Sequence, residues 1–144
     1  MKQTIVVLVC LMAAGAQLSL LPLSRTAEPA QLGPGLHEFS ILSAGHEWSY
    51  LVYVPSRVDA KKPLPAVLIL HGAGGSGEGY LEHADWREKA EEAGFVAIAP
   101  NGLPARPAGR PSFLFNPRLW NTGQLREGSA RSKIDDIQFF KDLL

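Results

Sequence analysis

The sequence predicts an α/β fold in which an antiparallel hairpin precedes a parallel βαβ unit. Two extended segments, 36–42 and 48–54, flank the short turn 43–46, and two continuous apolar runs, 66–70 and 95–99, enclose a helical segment. Strands covered on both faces read as apolar runs without polar alternation, and parallel strands are usually covered in this way. The order of these segments indicates a sheet that is antiparallel at first and parallel later.

The segment 48–54 has the alternation of a partly buried strand. Pro55 follows it and ends the hairpin, while Gly45 lies in the turn that joins the two extended segments. Aromatic and β-branched residues occupy every second position, and smaller or more polar ones lie between them: Trp48, Tyr50, Val52 and Val54 alternate with Ser49, Leu51 and Tyr53.

The βαβ unit is expected to contain one helix over 84–93. Apolar residues recur there at helical spacing, with charged residues between them: Trp86, Ala90 and Ala93. Gly94 is placed to end the helix, because glycine readily adopts the left-handed conformation of a helix C-cap. The apolar strands before and after this helix should be parallel, with a right-handed crossover.

The C-terminal third begins with an irregular stretch and ends in a predicted helix. Residues 103–133 include four prolines and no regular period, as is typical of a functional or mobile loop. Over 134–144 the helical period returns, so we expect one apolar face, formed by Ile134, Ile137, Phe140 and Leu144. Adjacent helical residues point in different directions, so Asp135 and Asp136 are expected to start this helix, with one inward hydrogen bond, rather than to form an acid–base pair.

Composition and the N-terminus limit the class of protein. Fourteen basic and fourteen acidic residues balance over 144 residues, which argues against nucleic acid as the main partner. Lys2, an apolar run over 5–16 and small residues at its end predict a secretory signal peptide over 1–16, which could extend to about residue 27, and then a spacer over 17–35. We therefore expect a secreted or periplasmic product. The alternative is a membrane anchor formed by residues 5–23.

The segment His71–Gly77 is the strongest functional signal. Five glycines between positions 72 and 79 leave backbone N–H groups exposed after a buried strand, so the loop can hold either a phosphate or the oxyanion of an attacked ester. A dinucleotide site needs an acidic residue after the next strand, where Asn101 stands instead. A P-loop needs Lys followed by Ser or Thr, where Glu78 and Gly79 stand.

The oxyanion alternative agrees with the order of the elements. In α/β-hydrolases a His-Gly type loop after the third strand supplies one N–H to the tetrahedral intermediate, and the residue after the nucleophile supplies another. His71-Gly72-Ala73-Gly74-Gly75 follows an apolar strand that itself follows a predicted hairpin. The segment 36–144 is accordingly expected to be the N-terminal part of an α/β-hydrolase domain, incomplete at its C-terminus because the helical pattern runs to the last residue.

Several segments together resemble one family. In chain order, 50–55, 63–77, 93–102, Trp120-Asn121 and 134–139 are similar to the polyhydroxybutyrate depolymerase and feruloyl esterase-like family of secreted α/β-hydrolases. The resemblance implies a serine ester hydrolase that needs no metal or organic cofactor and acts on polyesters or on esterified polysaccharides. It also implies that the N–H of Ala73, or else that of Gly74, faces the oxyanion.

The same resemblance implies what these 144 residues lack. The family's nucleophile lies on a G-x-S-x-G turn, and its acid and histidine follow; all three would come after position 144, so the chain by itself is expected to be inactive. Ser76 is not a substitute, because Glu78 stands where the last glycine of that turn should be. Two alternatives remain: an exported, non-catalytic binding or scaffold module derived from a hydrolase, and a nucleotide-binding protein.

Other polar residues are interpreted as structural. His71 is expected to orient the glycine loop rather than to act as a base, while His37, His46 and His83 are expected at the surface. The acidic residues of the 82–92 segment are expected on the solvated face of the helix. Trp120-Asn121 is left open between a substrate cleft and a packing anchor.

Overall fold

The computed structural model describes residues 32–57, 59 and 62–144. The predicted signal peptide over 1–16, its possible extension to residue 27, the alternative anchor over 5–23 and most of the 17–35 spacer lie outside the described residues. In the part of the chain that is described, no helix combines the length and apolar character that a membrane crossing requires.

Four strands form one mixed sheet in the order β1-β2-β4-β3. They are β1 (Gly35–Ser43), β2 (His46–Val54), β3 (Ala66–Leu68) and β4 (Val96–Pro100). β1 and β4 are both antiparallel to β2, whereas β3 and β4 are parallel. The predicted α/β class, the hairpin and the parallel pair are thus confirmed. The predicted burial of 66–70 on both faces is wrong: β3 spans only Ala66–Leu68, lies at the edge of the described sheet and is partly exposed.

The hairpin turn has the backbone that its two-residue length requires. Ala44 and Gly45 both have positive φ, at 49° and 76°, as in the turn type whose twist matches that of the flanking strands. Gly45 adopts this conformation without steric cost, while Ala44 is strained by it. The resulting register pairs Ser43 with His46 and Gly35 with Val54.

The helical segments are α1 (Gly77–His83), α2 (Trp86–Ala93) and α3 (Asp136–Leu143), with a 3₁₀ turn over Ala130–Lys133. The predicted helix over 84–93 corresponds to α2, which ends at Gly94 in the left-handed conformation as expected. The preceding helix α1 was not predicted, because two of its first three residues are glycine, which has weak helix propensity. It begins at Ser76, whose side chain accepts a hydrogen bond from the Gly79 N–H and so caps the first turn.

The two faces of the sheet pack against different elements. Trp48 and Leu51 point to opposite faces of β2, because they are an odd number of positions apart. One buried cluster contains Leu51, Ile69, Leu81, Ala90, Phe95, Ala97 and Ala99, which come from the sheet and the α1–α2 region. The other contains Trp48, Ile134 and Phe139, with Trp120 and Phe140 packed against them.

The predicted apolar face of the last helix is wrong in part. Ile137 and Leu144 are 61% and 79% exposed, whereas Phe139, which was not assigned to that face, is fully buried. The inward face instead contains Asp136, Phe139, Phe140 and Leu143, a spacing of three, four and seven residues. Asp136 has to point inward to reach Arg131, and this contact sets the rotation of the helix.

Arg131 is the buried cation of this region. Its side chain is fully buried, forms an ion pair with Asp136 and donates to the Leu119 carbonyl at 3.0–3.1 Å. The guanidinium carbon lies 5.6 Å from the centre of the Trp48 ring, a cation–π contact. The second carboxylate oxygen of Asp136 accepts the backbone N–H of Asn121, so both charges are held by several partners.

The two adjacent aspartates provide a matched test of this description. Asp135 is exposed and caps α3 by accepting from the Gln138 N–H at 3.0 Å, so Asp135→Ala should lower the free energy of unfolding by about 1 kcal/mol. Asp136→Ala leaves the buried Arg131 charge unpaired and should cost about 3–5 kcal/mol. Urea unfolding of both variants measures this difference, and equal losses would contradict it.

Candidate functional site

The glycine loop lies where the parallel strands end. It connects β3 to α1, and the Gly77 N–H at its end donates to the Asn101 side chain at 2.9 Å, directly after β4. Because β3 and β4 are parallel, their carboxyl ends share one edge of the sheet, which is the edge where open α/β sheets bind ligands. A side chain at Gly77 would meet the Ala99 carbonyl at 2.3 Å, so glycine permits the close approach of loop and strand.

His71 fixes the start of the loop through both ring nitrogens. The side chain is 2% exposed; Nδ1 lies 2.7 Å from the Gly72 carbonyl oxygen, and Nε2 accepts the Gly102 N–H at 2.9 Å. These partners select the neutral tautomer with its proton on Nδ1. Burial lowers the pKa of His71 below its ordinary value, and the nearby charge of Arg118 lowers it further, while the bond to Gly72 opposes the shift. The geometry supports the expected structural role.

Trp120 is a packing anchor for the same loop. Its indole N–H donates to the His71 carbonyl at 2.9 Å, and its ring stacks on Trp48 and lies 5.1 Å from the His71 ring. The Asn121 side chain donates to the carbonyls of Ser132 and Ile134. The contacts of both residues are therefore internal, which favours the packing interpretation over a substrate cleft.

The two predicted oxyanion donors differ in availability. The Gly74 N–H donates to the Arg118 carbonyl at 2.8 Å, so it is already occupied. The Gly75 N–H is occupied as well, by the Gly72 carbonyl at 3.0 Å. The Ala73 N–H forms no hydrogen bond among the described residues, and Ala73 is exposed. Of the pair, Ala73 is the one able to donate to a ligand.

Two of the first three N–H groups of α1 are occupied by protein acceptors. Gly77 donates to Asn101 and Gly79 donates to Ser76. Helix N-termini bind phosphate through these first N–H groups, and here protein side chains occupy two of them.

A cavity of about 480 Å³ adjoins the loop. Its wall includes Gly74, Gly75 and Ser76 on one side and Phe113 and Arg118 on the other. Gly74 has a φ of 79°, and a side chain there would meet the Phe113 ring at 2.7 Å. The positive φ favours glycine here, and the exposed Phe113 ring would have to shift to admit a side chain.

The irregular stretch over 103–133 is folded onto this cavity. Pro104 pairs with Arg118, and Ser112 pairs with Asn116, as isolated bridges. Asn116 is 3% exposed; its side chain accepts from the Arg106 N–H and donates to the carbonyls of Arg106 and Arg110. Sequence reasoning missed Phe113, Asn116 and Arg118, because an isolated polar or aromatic residue in a proline-rich stretch gives no periodic signal.

The remaining polar residues do not gather into a second centre. His83 is exposed, while His37 and His46 are half-buried. Within the described residues, no group of three His, Cys, Asp or Glu side chains could hold a metal ion, and no serine hydroxyl is hydrogen-bonded to a histidine ring. Glu91 is not merely solvated: it accepts hydrogen bonds from Tyr53 and Ser56, and the bond from the Ser56 N–H lowers its pKa.

Comparison with known proteins gave no assignment: no family model matches the sequence, and no match was found among curated proteins.

The two bonds of the His71 ring predict how stability depends on pH. In the unfolded chain His71 takes up a proton below a pH of about 6.5. In the folded state its pKa is lower, so protonation requires a lower pH. The stabilisation by the neutral ring is therefore complete above that pH and is lost as the pH falls below it. His71→Gln keeps an acceptor near Gly102, so its free energy of unfolding should fall less between pH about 7 and about 5 than that of the wild type.

His83→Gln is the control for this comparison, because it removes an exposed histidine whose Nδ1 lies 2.8 Å from the Gly79 carbonyl oxygen. Chemical denaturation at both pH values should give His83→Gln the pH dependence of the wild type. Identical pH dependence in the wild type and His71→Gln would show that His71 is not held neutral.

Proposed function

We propose that His71–Gly77 is the oxyanion-hole loop of a serine ester hydrolase of α/β-hydrolase fold, and that 36–144 is the N-terminal part of that domain. The observation that carries the proposal is the Ala73 N–H, which lies at the carboxyl edge of the parallel strands and has no partner among the described residues. The next residues, Gly74–Ser76, line a cavity. The substrate class proposed is that of the resembling family: polyesters, or feruloylated or acetylated polysaccharides. The resemblance also supports a secreted product.

The proposed chemistry is acyl transfer through a covalent intermediate. A serine oxygen adds to the ester carbonyl while a histidine takes its proton, and the carbonyl oxygen becomes an oxyanion. That oxygen accepts a hydrogen bond from the Ala73 N–H and another from the residue after the nucleophile. Collapse expels the alcohol, which receives the proton from histidine, and water then releases the acid by the same steps in reverse. The serine, histidine and acid of this mechanism belong to polypeptide outside the described residues.

Two observations favour an oxyanion over a phosphate. The helix N–H groups of Gly77 and Gly79 already have protein acceptors, whereas phosphate binding uses several such donors at once. At the end of β4, Asn101 uses its side chain to hold Gly77 and Ser49, so no carboxylate is present there for a ribose. Both observations argue against the nucleotide-binding alternative.

A non-catalytic exported module is the second candidate. The observation in its favour is that no serine and histidine are brought together among the described residues. The DNA that follows codon 144 discriminates the two candidates. A reading frame that encodes G-x-S-x-G within about 30 residues supports the hydrolase, and an intact stop codon without such a frame supports the module.

Ala73→Pro tests the donor directly, in a chain that includes the nucleophile. Proline removes the N–H, and Gly72 before it tolerates the restriction that proline imposes on its neighbour. Loss of one oxyanion donor typically lowers kcat by about 10²–10³-fold. Ala73→Gly keeps the N–H, so hydrolysis of p-nitrophenyl butyrate should show this deficit in the proline variant relative to the glycine variant. Equal rates in two variants with equal melting temperatures would exclude Ala73 as a donor.

The 144-residue chain by itself provides a complementary test. Because its described residues pair no serine with a histidine, we expect hydrolysis of p-nitrophenyl acetate no faster than in buffer. Turnover that saturates with substrate and is abolished by Ala73→Pro would contradict the proposed position of the nucleophile.

A further inference from the structure

Arg118 is a half-buried cation whose side chain has no partner among the described residues. Its side chain forms no ion pair or hydrogen bond within the described part of the chain, although its backbone carbonyl holds the Gly74 N–H. Burial lowers the pKa of its guanidinium, as expected for a charge that has lost water and gained no counter-ion. Such a group has unused capacity to bind an anion, with up to five N–H donors in a planar fork.

The charges around Arg118 differ from one side to the other. Arg118 lines the 480 Å³ cavity beside the glycine loop, and no aspartate or glutamate lines that cavity. Two neighbouring cavities also reach Arg118, but Glu47 lines one of them, and Glu38 and Glu78 line the other. An anion is therefore favoured on the loop side and repelled on the other sides.

We propose that Arg118 binds a carboxylate of the substrate, so that the site prefers esters carrying a free acid group on the part that enters this cavity. That the bound carboxylate belongs to a substrate rests on the proposed function. The carboxylate-binding site at Arg118 does not depend on it. Phe113 and Gly74 line the same cavity, so a short aliphatic chain between ester and acid contacts apolar wall while the guanidinium receives its charged end. Bidentate pairing of guanidinium with carboxylate gives both the affinity and the orientation.

Monomethyl and dimethyl succinate are the matched probes, because they differ only in the free carboxylate. In ¹⁵N NMR titrations of the 144-residue chain at low ionic strength, the monoester should shift the amides of Gly74–Ser76 and should bind at least about tenfold more tightly than the diester. Arg118→Gln should abolish this preference, and Arg118→Lys should keep part of it. Arg126→Gln removes an equally positive but exposed side chain and should retain the wild-type preference.

The outcomes separate this inference from the proposed function. Equal binding of both probes by the wild type, no binding of either, or a preference that survives in a folded Arg118→Gln variant would overturn it. A well-dispersed amide spectrum establishes that each variant is folded. The titration does not depend on hydrolysis, so absence of esterase activity in a longer chain would overturn the proposed function and leave a carboxylate site at Arg118 standing.

Discussion

The neutral imidazole of His71 is the constraint on which the candidate site depends. It receives the Gly102 N–H on one nitrogen and contacts the Gly72 carbonyl through the other, so it joins the loop after β3 to the chain after β4. A protonated ring would present a second N–H to the Gly102 N–H, and two donors would then face each other in a buried space. The low pKa of this buried group keeps the bridge intact, and with it the position of Ala73.

The segment 118–121 is hydrogen-bonded both to the glycine loop and to the region of α3. Its four residues contact three parts of the structure. The Arg118 carbonyl and the Trp120 indole hold Gly74 and His71 of the glycine loop. The Leu119 carbonyl holds Arg131 of the 3₁₀ turn, and the Asn121 N–H holds Asp136 of α3. Hydrogen bonds of this segment thus connect the buried ion pair of Arg131 and Asp136 with the loop that carries Ala73. Removing one partner of a buried ion pair leaves an uncompensated charge, so loss of either residue is expected to disturb the packing around this segment.

Local sequence patterns were sufficient to predict the strands of the sheet, the hairpin turn and the end of α2. The hairpin turn at Gly45, the parallel apolar strands and the helix end at Gly94 follow from short-range steric preferences, and each was predicted. The capping role expected of Asp135 and the inward bond expected next to it follow in the same way. Helix α1 and the inward face of α3 did not follow, because a glycine-rich helix depends on packing and the rotation of α3 depends on the distant residue Arg131.

By itself the sequence determined the α/β class and the position of the glycine loop after an apolar strand, and its resemblance to one family implied Ala73 and Gly74 as the two candidate donors. Only the tertiary structure shows that the Gly74 N–H is occupied, because the Arg118 carbonyl that accepts it lies more than forty residues away along the chain. The same contact places the unpaired guanidinium of Arg118 beside the loop. Hydrogen bonds between residues remote in sequence produce no repeating pattern in the sequence. They nevertheless determine which backbone N–H groups of the loop are occupied.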